Sequence, residues 1–189
     1  TYYIVFSKDG ESFKYPYEIA ARREGSAERT SFTTADMIYL IMPDRFANGD
    51  PSNDPVEGMP DKADRSKPFG RHGGDIQGII DHLDYISELG ATAIWCTPLI
   101  EDNLPVTTYH GYACTDYYHI DSRFGDNDLF KEYVQKAHEK DLKIIMDIVP
   151  NHAGSGHWWM ADVPFKDWYH VFDTYTGSNI VFSTNMDPN

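Results

Sequence analysis

Residues 147–152 read Asp-Ile-Val-Pro-Asn-His, which sets a carboxylate, an amide and an imidazole directly after the apolar run that begins at Lys143. Together these groups can accept and donate hydrogen bonds, move a proton or hold a polar ligand. An apolar run ending in such a cluster has the pattern of a buried parallel strand whose C-terminal end opens on a site rim. Local chemistry offers a second account. Asn after Pro suits a turn, and a His at a strand end can be a hydrogen-bonded structural group. The surrounding elements must decide between the two.

Those elements alternate. Residues 37–43 form a continuous apolar run expected as a strand. In 75–89, Ile76, Ile79, Ile80, Leu83, Ile86 and Leu89 recur at helical spacing, with Asp75 as cap and Gly90 as stop. Residues 91–97 predict a second buried strand, Asp126 or Asn127 caps a second helix running through 140, and 143–149 is the third strand. Strand, helix, strand, helix, strand is the order of a parallel α/β sheet with right-handed crossovers.

A doubly wound sheet and a (β/α)₈ barrel both begin in this way. After each strand comes a long loop rich in Asp, Asn, His, Gly and Tyr, while the returns from helix to strand at 90–91 and 141–142 are short. Chemistry gathered at the C-terminal face is the barrel pattern. No glycine-rich phosphate turn follows the first strand, which argues against a nucleotide site. The loop at 44–74 is long enough to be functional rather than filler.

Ahead of the barrel-like part, 2–6 and 13–19 are aromatic and β-branched runs separated by Asp9-Gly10, a hairpin signal. Residues 22–33 are charged and poor in large apolar side chains, so they read as a junction. Beyond His152, Trp158, Trp159, Trp168, Tyr169 and Phe172 follow no clear period; packing accounts for most of them better than outer sugar platforms do. His157, Asp162 and His170 match no zinc spacing.

The 189 residues are 41% hydrophobic and 14% aromatic, enough for a sizeable core. Acidic residues outnumber basic ones 30 to 16, and a net charge of −14 repels nucleic-acid backbones and anionic membranes. A neutral ligand remains compatible, and rings with carboxylates suit sugars. Cys96 and Cys114 have no metal-ligand spacing and read as buried or free thiols. No apolar stretch is long enough for a bilayer span, so membrane insertion is not expected. Thr1 is not an initiator Met and the chain is expected to be a processed or excised piece, so the lack of a leader leaves export open.

Residues 147–152 resemble the first signature region of the α-amylase family of glycoside hydrolases, family 13. Other pieces agree in order: Asp44-Arg45-Phe46, then 73–79, then His110-Gly111-Tyr112 through Asp116-Tyr117, then Arg123-Phe124-Gly125. The resemblance covers about residues 37–189 and is nearest to the neopullulanase and cyclomaltodextrinase group. It implies an α/β fold, an incomplete (β/α)₈ barrel holding the first three strands. It also implies three segments: 1–34 as the end of an N-terminal β-sandwich with its linker, 35–152 as the first part of the barrel, and 153–189 as the start of a small domain inserted after the third strand.

The same resemblance implies retaining cleavage of α-glucosidic bonds in starch-type glucans, pullulan or cyclodextrins, through two carboxylates about 5 Å apart. Those carboxylates come from later strands, so no catalytic residue is assigned within this chain. Tyr112 resembles the ring that stacks on the sugar, His152 the imidazole that bonds its hydroxyls, and Asp147 a carboxylate that orients an arginine beside the nucleophile; His110 stands with them. Asp116 reads as structural. Asn48, Asp50, Asn53 and Asp54 are hard oxygen donors that Asx turns alone would explain. Resemblance adds Gly73 and Asp75 and implies structural Ca²⁺. A homodimer of the full-length protein and a periplasmic or extracellular location in preference to a cytoplasmic one are further expectations.

Two other readings compete. A catalytically silent carbohydrate-binding or interaction protein would keep half the motif set. A metal-dependent hydrolase would use His72, His110 and His152, which lie on three different loops without a helical His pair.

Overall fold

In the computed structural model, which describes residues 1–163 and 167–169, Asp9 and Gly10 both take left-handed backbone angles, φ 52° and 84°. That pair matches the right-handed twist of flanking strands. It joins β1 (Tyr2–Lys8) to β2 (Glu11–Tyr17) in an antiparallel hairpin. The register sets Tyr2, Ile4 and Phe6 opposite Tyr17, Tyr15 and Phe13. Side chains alternate along a strand, so these six large residues share one face. The hairpin lies in the first of two compact units, Thr1–Thr34, and all that follows lies in the second, Ala35–Asn189.

The second unit is built on a parallel sheet of β3 (Ile38–Ile41), β4 (Ala93–Cys96) and β7 (Lys143–Met146), paired in that order. Ile38 pairs with Ala93, and Ala93 with Lys143. One face therefore carries Tyr39, Ile41, Ile94, Cys96 and Ile144 and packs on the helices. The other carries Ile38, Leu40 and Trp95, which stay 42%, 56% and 38% exposed. Each strand is shorter than its apolar run, because backbone pairing ends before the apolar composition does.

A short helix α1 (Pro43–Phe46) follows β3. The helix expected across 75–89 is two, α2 (Ile76–Asp81) and α3 (Leu83–Glu88), broken at His82. His82 Nδ1 bonds the Gly78 carbonyl at 2.7 Å, and its own amide turns to Ile79 O instead. A side chain inserted into the i→i−4 ladder is a sufficient cause of such a break. The apolar stripe survives it: Ile76, Ile79, Ile80, Leu83 and Ile86 are all buried. At about 1.5–3 kcal/mol per buried large aliphatic side chain, this stripe outweighs the break.

After β4 the chain makes an excursion that composition did not reveal, β5 (Ile100–Glu101) pairing antiparallel with β6 (Asp116–Ile120). Then α4 (Asn127–His138) begins at Asp126, whose carboxylate accepts from the amides of Asp128 and Leu129, and packs on α2 and β7. It ends short of 140, and Asp141 turns the chain at φ 58°. Of the segment expected after 152, a single 3-10 turn (Trp158–Met160) is described; Phe172 and His170 lie outside the described residues.

Candidate functional site

Asp147 follows Ile145 by two positions, so it continues the sheet face that carries Trp95. Trp95 Nε1 donates to Asp147 Oδ2 at 3.1 Å. The Tyr112 hydroxyl donates to the same oxygen, also at 3.1 Å. One carboxylate oxygen thereby joins β4, the loop after it and the end of β7.

Tyr112 reaches this place because of Gly111, which has φ 76° and lies against the Pro98 carbonyl where a Cβ would clash. The Tyr112 amide donates to His110 Nδ1 at 2.9 Å. His110 Nδ1 is therefore unprotonated, and the neutral ring carries its proton on Nε2. Burial lowers the His110 pKa, in keeping with that neutral form. His152 Nε2 lies 3.0 Å from the Tyr112 carbonyl. A carbonyl only accepts, so this nitrogen bears the proton while Nδ1 accepts from Asn151 Nδ2 at 3.2 Å. Burial and the Asp147 charge both raise the Tyr112 phenol pKa, keeping it a donor.

Tyr112, Asp147, His152 and His110, separated by up to 42 positions in sequence, thus meet at the C-terminal edge of the parallel sheet. His72 stands apart from them, its Nε2 on the Lys67 carbonyl at 3.2 Å. Among the described residues no group of three His, Cys, Asp or Glu side chains could hold a metal.

Two buried arginines tie the loops behind this cluster. Arg123 grips Asp121 through Nε at 2.9 Å and a terminal nitrogen at 2.7 Å, and donates to the carbonyls of Asp61 and Asp102. Burial alone would raise the Asp121 pKa, but the Arg123 hydrogen bonds and charge reverse this and hold it below the ordinary value. Arg71 stacks on the Phe124 ring at 4.5 Å, donates to Thr108 and faces Asp44 at 3.7 Å. Thr108 in turn donates to Asp61 through its amide and its hydroxyl. The long loop after β3 and the loop that carries His110 and Tyr112 are held together by these contacts.

Asp102 is the exception in this polar layer. Burial pushes its carboxyl up to about 6, opposed by the amides of Ala113 and Leu104. The folded chain then binds a proton more tightly than the unfolded chain, so stability falls as pH rises from near 4 to near 6 and is level above. The loss should be about 2–3 kcal/mol, and Asp102→Asn should flatten that stretch of a urea midpoint against pH curve. Asp121 acts in the opposite sense, and below pH 4, so the two windows separate.

In the loop after α1, Asp75 caps α2 by accepting from Gly78 N at 2.6 Å. The same carboxylate also accepts from the amides of Gly49 and Asp50 and from Asn53 Nδ2. Asp50 takes both the amide and the hydroxyl of Ser52. Asn48 Nδ2 donates to both oxygens of Asp54, and the Gly73 backbone packs against these two side chains. The remaining amide oxygens, Asn48 Oδ1 and Asn53 Oδ1, are buried with no hydrogen-bond partner. Buried orphan acceptors cost about 1–3 kcal/mol each unless something meets them. A hard cation would be such a partner for the two amide oxygens, although the carboxylates of Asp50, Asp54 and Asp75 do not by themselves gather into a metal-holding group.

Sequence reasoning missed Trp95, and it met Asn151 and Tyr117 only as members of motifs. Trp95 looks like one more apolar strand residue until the register turns it to the Asp147 face. The Asp121–Arg123 grip is visible only as an i, i+2 charge pair, a spacing too common to carry a signal.

The profile of the alpha-amylase catalytic domain matches residues 40–187. The chain is 41% identical over 142 residues to a cyclomaltodextrinase from a Bacillus species, covering 71% of this chain and 25% of that protein. It is 42% identical over 158 residues to neopullulanase 2 of Thermoactinomyces vulgaris, covering 75% and 26%. Among solved structures, an Anoxybacillus alpha-amylase superposes with a TM-score of 0.65 at 48% identity, covering 72% of this chain and 28% of that one. The chain thus spans about a quarter of the length of the curated relatives it matches.

Proposed function

The chain belongs to the alpha-amylase catalytic-domain family, and from that premise we propose that it is the sugar-holding part of a retaining glycoside hydrolase acting on α-glucans. The observation that carries the reading is the meeting of Tyr112 with Asp147 and His152 at one edge of the parallel sheet. In this reading the half-exposed Tyr112 ring offers an apolar face to a pyranose, and His152 and the Nε2 proton of His110 bond its oxygens. Asp147, with Oδ2 committed to Trp95 and Tyr112, offers Oδ1 to an arginine beside the nucleophile. Such a carboxylate organises charge without attacking the sugar.

The nucleophile and the acid/base, about 5 Å apart in retaining enzymes, come from strands beyond the third in this scheme. Further strands would also cover the apolar face of Ile38, Leu40 and Trp95. Residues 1–34 would close a β-sandwich, 35–152 open the barrel, and 153–189 begin the inserted domain. Cyclodextrins and pullulan, which the names of the relatives evoke, join starch-type glucans as proposed substrates. The full-length protein would work outside the cytoplasm, as a homodimer.

The test is turnover. Full-length protein should release reducing ends from maltooligosaccharides, pullulan or cyclodextrin, and the 189-residue chain alone should release none. Hydrolysis by the short chain would overturn this division of labour. Tight binding without turnover by the full-length protein would favour a silent carbohydrate binder.

Calcium belongs to the same reading, held by Asn48, Asp50, Asn53, Asp54, Gly73 and Asp75. It would supply charge for the orphan amide oxygens and brace the loop against α2, a structural role. A chelator should then lower the thermal midpoint, because a ligand at about 100 times its Kd adds roughly 2.7 kcal/mol to the folded state. An unchanged midpoint, with no calcium by elemental analysis, would count against it.

A further inference from the structure

Tyr117 lies in β6, outside the cluster of Tyr112, Asp147 and His152, yet its side chain holds the segment that carries two of them. Its hydroxyl is 3.0 Å from the Val149 carbonyl and 2.9 Å from the His152 carbonyl. One phenolic proton shared by two carbonyls three residues apart pins the turn between them. The main chain supplies no substitute. Among the described residues, no backbone group from 148 to 153 bonds another backbone group; the next such bond runs from Gly154 N to Cys114 O at 2.7 Å. Pro150 removes one donor outright.

The tyrosine itself is anchored. Its ring centroid lies 5.5 Å from those of His157 and Trp159, and its strand is paired with β5. His157 is buried and takes the Trp159 amide on Nδ1. A fixed ring thus presents one hydroxyl to a stretch of chain that has no backbone hydrogen bond of its own among the described residues, and that stretch ends in the imidazole that touches the Tyr112 carbonyl.

We propose that Tyr117 is a positioning residue that sets the place of the His152 imidazole by clamping the Val149 and His152 carbonyls. Its consequence for rate rests on the glycosidase reading; its geometric effect does not. Two measurements separate these. In the full-length protein, Tyr117→Phe keeps the ring and loses the clamp, and should lower kcat/KM on a maltooligosaccharide about 3- to 10-fold. Combined with His152→Ala it should cost nothing beyond His152→Ala alone, since it acts through that side chain. Additive losses would overturn the proposal.

The second measurement needs no turnover. The imidazole nitrogen shifts of His152 in the 189-residue chain should move toward those of a free ring in Tyr117→Phe, while those of His82, held on Gly78 O, stay. Unmoved His152 signals would overturn the positioning role. Moved signals in a chain whose full-length protein has no glycosidase activity would uphold the clamp and reject the catalytic reading.

Discussion

Arg123→Ala is expected to lower the unfolding free energy of this chain by about 3–5 kcal/mol. Asp121 and Arg123 side chains are 0% and 2% exposed, so removing the guanidinium strands a carboxylate with no water to reach it. The loss extends past the pair, because the carbonyls of Asp61 and Asp102 lose a donor as well. Urea unfolding of wild type and variant is the measurement. Lys131→Ala provides the contrast, since its partner Asp128 is 89% exposed and water screens such surface pairs until they contribute little. A cost for Arg123→Ala no larger than that of Lys131→Ala would mean the buried grip does not hold the fold. The double variant Asp121→Leu/Arg123→Met should recover part of the loss, as well-packed apolar replacements of buried ion pairs do. The same substitution should loosen Asp102 and Asp61, and through Thr108 the loop that carries Tyr112.

On the proposed glycosidase reading, Gly111→Ala is expected to lower kcat/KM of the full-length protein about 100-fold, the scale of a 1 Å misplacement of a group that would hold the substrate. The added methyl would meet the Pro98 carbonyl, which is backbone and cannot swing aside, so Tyr112 and its hold on Asp147 must shift. Strain at positive φ is a separate effect and has its own control. Gly90 has φ 84° and open space where a Cβ would stand, so Gly90→Ala carries the strain without the clash. It should cost about 1 kcal/mol of stability and leave kcat/KM near wild type. Equal losses of activity in the two variants would sink the positional account of Gly111.

Much of this was legible beforehand. The stripe from Ile76 to Ile86 declares a helix buried on one side, and Asp126 caps α4 as its composition predicts. Asp9-Gly10 makes the hairpin turn. What escaped was governed by partners distant in sequence. The break at His82 depends on a ring reaching back to Gly78 O, the β5–β6 pairing on two short segments with no period, and the end of β7 on where β4 stops. Resemblance drew Tyr112, Asp147 and His152 together by motif, but their contacts could not be read from it.

By itself the sequence determined the alternation of apolar runs, the caps and stops of the helices, the polar loops and the charge balance, since each follows from residue type and local spacing. The tertiary structure decided which oxygen of Asp147 is used, which nitrogen of His152 carries its proton, and that Tyr117 and Arg123 fasten the loops behind them. Those outcomes depend on parallel register and on contacts across tens of residues, and local propensity carries no information about either.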